Sequence, residues 1–248
     1  MKRILGLIAL GSFVGLSQSY GAIATELNLS DSAGDTAVID VSTTGVLSCA
    51  GTACGGLIIS NPGGAHGTIA IGAGSTFGSF TLNVTGEGGG STTLPALENL
   101  NQINASNTST ANVTLTAIFT DTLYSDLSSV LNVGVSNVTD SAISTSTIQT
   151  TAFSGTASAV PAGSQIYTTS LTGHTDDNGV NGVNVLNPNN PNGSLTEETV
   201  MTFAGKGAIQ ANFSISNVAV PEPTSALLLG GVLLSITTIV RKKLGKRA

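Results

Sequence analysis

Asn112-Val113-Thr114-Leu115-Thr116-Ala117-Ile118-Phe119 is the stretch on which the fold turns. Positions 113, 115, 117 and 119 are apolar, and Asn112, Thr114 and Thr116 between them are polar. Successive side chains of an extended chain point to opposite faces, so this alternation describes a strand with one face in a core and the other toward water. The same period of two runs through Thr81-Leu82-Asn83-Val84-Thr85, through Leu131-Asn132-Val133-Gly134-Val135 and through Ile209-Gln210-Ala211-Asn212-Phe213-Ser214-Ile215. Threonine suits the outer faces, because its branched side chain fits a pleated surface.

Working outward, further strands are expected at Ala37 to Val41, Leu57 to Ser60, Thr68 to Ile71, Thr147 to Phe153 and Thr196 to Phe203. Gly205-Lys206-Gly207 reads as the turn of a hairpin joining the last of these to the strand at Ile209. Pro95 to Ile103, apolar at 97, 100 and 103, reads as a short helix. Two glycine-rich runs, Gly72 to Gly78 and Gly86 to Gly90, read as turns. The first misses the spacing of a dinucleotide-binding loop and the second lacks the lysine of a phosphate-binding loop. Many short strands, polar turns and almost no helix predict an all-β chain, with an antiparallel β-sandwich as its body. A β-solenoid is the other architecture such strands could build, but no repeat of roughly 20 to 50 residues is found.

The two ends differ in kind from the middle. Met1-Lys2-Arg3 is cationic, Ile4 to Leu16 is apolar, and Ala22-Ile23-Ala24 places small residues where a signal peptidase needs them. Residues 1–24 therefore read as a signal peptide delivering the chain to the Sec translocon, with Thr25 as the first mature residue; cleavage after Gly21 is the alternative. At the other end stand Val220-Pro221-Glu222-Pro223, the uncharged run Ala226 to Val240, then Arg241-Lys242-Lys243 and a basic tip at Lys246-Arg247. That run is roughly 22 Å long as a helix, short of a hydrocarbon core of about 30 Å. It reads as a single C-terminal transmembrane helix extended by snorkelling cations, which stay cytoplasmic and stop transfer. The order is then 1–24 signal peptide, 25–219 exported domain and 220–248 tail.

Those C-terminal residues together resemble the PEP-CTERM sorting domain of bacterial exported proteins. The resemblance covers the tail alone; Thr237-Thr238 interrupts its helix and Gly230-Gly231 loosens it. It implies that an exosortase, a membrane-embedded cysteine protease, recognises Pro221-Glu222-Pro223. It further implies that the chain is held briefly in the inner membrane and then released to the cell surface or an exopolysaccharide matrix.

Charge is partitioned accordingly. The eight Lys and Arg comprise Lys2, Arg3, the five of the tail and, between them, Lys206 alone, whereas all 14 Asp and Glu lie between Glu26 and Glu222. A segment with one lysine against fourteen carboxylates has no means of gripping nucleic acid, because phosphate affinity rests on Lys and Arg. It fits a soluble acidic surface protein, which can also gather divalent cations diffusely. Cys49 and Cys54, the only cysteines, are expected to form a disulfide in an exported chain, pinning a hairpin tip between Val46-Leu47 and Leu57-Ile58-Ile59. Free thiols or a metal site drawing on His66 are the other readings.

Catalytic motifs are missing. No G-x-S-x-G or H-E-x-x-H occurs, and His66 and His174 sit in glycine-rich loops. Asp176-Asp177-Asn178 offers oxygens of the kind calcium takes, without the spacing of an EF-hand loop, and reads as an Asx-rich turn within a long Asn-Gly-Pro surface loop. Asp31 with Asp35, and Asp121 with Asp126, read as solvated turn residues. No cofactor, catalytic residue or metal ligand is assigned. The expectation is a non-enzymatic surface or matrix protein, with exosortase as its partner in maturation and exopolysaccharide afterwards. A secreted carbohydrate-active enzyme or carbohydrate-binding module is the alternative. An enzyme of that kind would need paired carboxylates, and either would use aromatic sugar platforms, yet the chain has no Trp.

Overall fold

The computed structural model describes residues 23–62, 67–88, 97–124, 130–140, 147–155, 164–172, 182–187 and 193–218. They form two seven-stranded sheets in which every neighbouring pair is antiparallel. From edge to edge the first sheet runs β11 (Ser164–Thr172), β10 (Thr147–Gly155), β13 (Gly193–Ala204), β8 (Asn112–Tyr124), β1 (Ile23–Asp31), β2 (Thr36–Ser42) and β3 (Leu47–Ala50). The second runs β12 (Val183–Leu186), β9 (Val130–Asp140), β14 (Gly207–Asn217), β7 (Leu97–Asn107), β6 (Phe80–Gly88), β5 (Thr68–Phe77) and β4 (Ile59–Ser60). The all-β antiparallel expectation holds for the described residues, and the two sheets enclose one core, as in a β-sandwich.

Periodicity explains the core. Leu115, Ala117 and Phe119 are buried with Leu27 and Leu29 of β1 and Met201 and Phe203 of β13, so all three central strands turn their odd-numbered residues inward. In the second sheet Leu82, Val84, Ile103, Ile209, Ala211, Phe213 and Ile215 face them. The rings of Phe80 and Phe203 meet across the gap, with centroids 5.3 Å apart at 57°, a tilted arrangement that rings favour over stacking face to face. Val113, at the start of β8, is only partly buried.

Four local expectations fail, each for a tertiary reason. Gly205-Lys206 does not close a hairpin: β13 belongs to the first sheet and β14 to the second, so the turn is a corner between layers, with Gly205 at φ 107°. The helix expected at Pro95 to Ile103 is strand β7 from Leu97 onward. Ile103 is in register with Ala211 and Leu100 with Phe213, so a stretch of three residues on β7 spans two on β14. The spacing of three between apolar residues marks a β-bulge rather than a helical turn, and pairing on both edges satisfies the backbone. Gly72 to Phe77 continues β5 past a register shift between Ile71 and Ser75, and Gly86 to Gly88 complete β6. Finally, only Ile59–Ser60 of the expected Leu57 to Ser60 strand is paired.

Candidate functional site

Several expected site residues lie outside the described residues: Val220, Pro221, Glu222 and Pro223 of the sorting motif, Arg241, Lys242 and Lys243 of the stop-transfer segment, and His66, Asp126, His174, Asp176, Asp177 and Asn178. The signal peptide and the tail helix lie outside them as well, apart from Ile23 and Ala24, which begin β1. Among the described residues no helix is long and apolar enough to cross a membrane.

The cysteines are bonded as expected, with S–S 2.01 Å and Cα atoms 6.0 Å apart. What the bridge holds differs from a hairpin tip. Leu47–Ala50 pairs with β2 at the edge of the first sheet, whereas Ile59–Ser60 pairs with β5 at the edge of the second. The disulfide therefore fastens the segment that crosses from one sheet to the other along an open side of the sandwich. Hydrogen bonds dock that segment at both ends. The Ala53 N–H donates to the Thr36 carbonyl at 3.1 Å and the Thr36 N–H to Thr52 Oγ1 at 2.9 Å. On the far side the Ile58 N–H donates to Ser75 Oγ at 2.9 Å, and the Gly72 N–H to the Ile58 carbonyl at 2.8 Å. Gly51, at φ 137°, lies so close to the Thr36 carbonyl that a side chain there would collide with it.

Asp31 does behave as a turn residue, its Oδ1 accepting the N–H groups of Ala33 and Asp35 at 2.9 Å each. Asp121 does not. It is fully buried, because it continues the inward-facing set of Leu115, Ala117 and Phe119. Its carboxylate lies against Gly88 of the facing sheet, where a β-carbon would overlap it.

Asp121 belongs to a polar layer of the interior that periodicity explains in retrospect. Glu197 shares the inward face with Met201 and Phe203 and is also fully buried, in register with Phe119 on one side and Ala152 on the other. Thr25 pairs with Asp121, Thr199 follows Glu197 on the same face of β13, and Thr150 pairs with Thr199. These three hydroxyls are at most 1% exposed and make no hydrogen bond. Ser154, in register with Leu195, donates to Oδ1 of buried Asn187 at the layer's margin.

A second pair of carboxyls sits on the opposite face of the same sheet. Glu26 and Asp40 are cross-strand partners of β1 and β2, and their carboxyls hydrogen-bond to each other. Burial pushes Glu26 up to about 7, with the Asp40 charge and the hydrogen bond from it adding to the shift. Asp40 is also raised by burial, offset in part by the hydrogen bond from Glu26, so the proton resides on Glu26. Next in the row, Thr120 and Thr196 are buried and hydrogen-bonded to one another at 2.9 Å. Burial raises Glu198 on this face as well.

Neither pair resembles a sugar-cleaving site. The Glu26–Asp40 contact is direct, leaving no room for a glycosidic bond between acid and base. Phe77, Phe80, Phe119, Phe203, Phe213 and Tyr124 are all buried in the core, so none of them is a platform for sugar. Among the described residues no three or more His, Cys, Asp or Glu gather as transition-metal ligands would.

No protein-family model matches the chain, and no curated protein matches it in sequence. Among solved structures it is similar to a carbohydrate-binding module of the β-sandwich superfamily, at 13% identity and a TM-score of 0.29, over 78% of this chain and 84% of that one. It is also similar to a structure from infectious bursal disease virus strain Gx, at 13% identity and a TM-score of 0.29, over 85% of this chain and 56% of that one. At these scores neither likeness carries a functional argument.

Proposed function

We propose that the chain is an exported bacterial surface or matrix protein whose β-sandwich body is delivered by an N-terminal signal peptide and a PEP-CTERM-like tail. The observation that carries this reading is the tail itself: Pro221-Glu222-Pro223, an uncharged run and Arg241-Lys242-Lys243 in that order. The Cys49–Cys54 bridge supports it, since such bonds persist in oxidising compartments outside the cytoplasm. So does the near-absence of cations from the body, which leaves nothing there to hold nucleic acid.

On this reading the body does no chemistry. Exosortase processes the tail at the inner membrane, and the released sandwich associates with extracellular polysaccharide. Replacing Pro221, Glu222 and Pro223 together by Ala tests it. Full-length protein should then accumulate in the inner membrane, while wild-type protein released to the surface should lack residues 226–248 by mass. Release of the triple variant at wild-type levels, or a wild-type surface form that keeps the tail, overturns the reading.

A further inference from the structure

We propose that the polar layer inside the sandwich, centred on Asp121 and Glu197, binds one hard divalent cation of calcium's class. Asp121 on β8 and Glu197 on β13 occupy diagonal positions on the inner face of adjacent strands, both fully buried. Diagonal neighbours on one face of a sheet lie about 7–8 Å apart, a separation that two carboxylates reaching toward each other can bridge through a single ion. Two negative charges in a low-dielectric interior are costly, and one divalent ion balances both. The only cation among the described residues, Lys206, is exposed at the corner beyond the far end of β13.

An independent observation marks the layer as a binding site and not only a pair of acids. Thr25, in register beside Asp121, and Thr199, next after Glu197 on the same face, are fully or almost fully buried with hydroxyls that make no hydrogen bond. Buried hydroxyls are normally satisfied. Hydroxyls of this kind beside two carboxylates provide neutral oxygen for an ion or for the water it carries. Gly88 leaves the opposing wall open at Asp121, since any side chain there would fill the space its carboxylate occupies. The donors are oxygen throughout, and only two are acidic residues. Calcium accepts such a mixture of carboxylate, neutral oxygen and water, whereas zinc selects nitrogen and sulfur.

The test uses the exported wild-type chain, Asp121→Asn, Glu197→Gln and the control Asp35→Asn, each stripped with EDTA and then titrated with calcium chloride. Native mass spectrometry should show one calcium per wild-type chain. The melting temperature should rise by about 5–10 °C at a hundredfold excess over Kd. Asp35→Asn should keep both effects, while Asp121→Asn and Glu197→Gln should lose them. No bound ion and no shift in the wild type overturns the proposal. So does a shift that survives in both site variants, which would mark diffuse binding to the acidic surface. Should neither variant fold, the wild-type spectrum decides: one ion removable by EDTA supports the site, and none overturns it.

Discussion

Gly88 of the second sheet lies directly against the carboxylate of Asp121 of the first, so closely that a single added methyl would occupy the carboxylate's place. The glycine is required here by packing and not by its backbone angle. Gly88→Ala is expected to cost about 1–3 kcal/mol, the range for forcing extra volume into a packed interior. Asp121→Ala in the same chain should recover part of that loss, because it empties the contested space. Urea unfolding of both single variants and the double variant measures the coupling; strictly additive costs would show that the two residues do not share that space.

Below neutrality the Glu26–Asp40 pair should hold β1 to β2, and above it the pair should loosen them. The folded-state value of Glu26 is raised to about 7 from an ordinary 4.5. The folded chain therefore binds more protons than the unfolded chain between those values, and stability falls as pH rises through them. The stabilisation is fully present below about pH 4.5 and is lost through about pH 7, amounting to roughly 3 kcal/mol at most at 1.36 kcal/mol per unit. Glu26→Gln keeps a hydrogen-bond donor facing Asp40 and should flatten this dependence. Unfolding in urea and EDTA between pH 4.5 and 8 checks it; equal slopes in the two proteins would remove the pair from the account.

Opening the Cys49–Cys54 bridge should loosen a seam rather than the core. A closed loop this short constrains the unfolded chain by about 2 kcal/mol. Reduction should speed amide exchange at Ala53, Leu57 and Gly72, whose N–H groups bond within or against the crossing segment. Leu27 and Phe119, in the middle of the first sheet, should exchange as before. Uniform acceleration across the molecule would mean that the bridge supports the whole sandwich.

Deleting Arg241 to Arg247 should misplace the processing motif without harming the body. With its basic stop gone, the short apolar run has nothing to fix its depth in the bilayer. The expected product is unprocessed or slipped protein whose exported part still carries the disulfide, read by mass under non-reducing conditions. Normal processing of the truncated chain would assign the stop function elsewhere.

Much of this molecule is legible without its coordinates. The alternation at Asn112 to Phe119 and at Ile209 to Ile215 predicts both the strands and which residues enter the core, because a period of two follows from strand geometry alone. Carried two residues further, the alternation places Asp121 inward, and counted back from Met201 and Phe203 it does the same for Glu197. The signal was present, but a carboxylate in that register is easily taken for the end of the strand. Sequence alone also supplies the reading of the two ends, which rests on charge and hydropathy rather than on fold. Periodicity assigns a face and never a partner. That Gly205-Lys206 turns a corner between sheets, that Leu100 and Ile103 flank a bulge, and that Glu26 meets Asp40 across β1 and β2 all depend on strand order and register. Those are decided by how two sheets close over one core, through contacts between residues far apart in the chain.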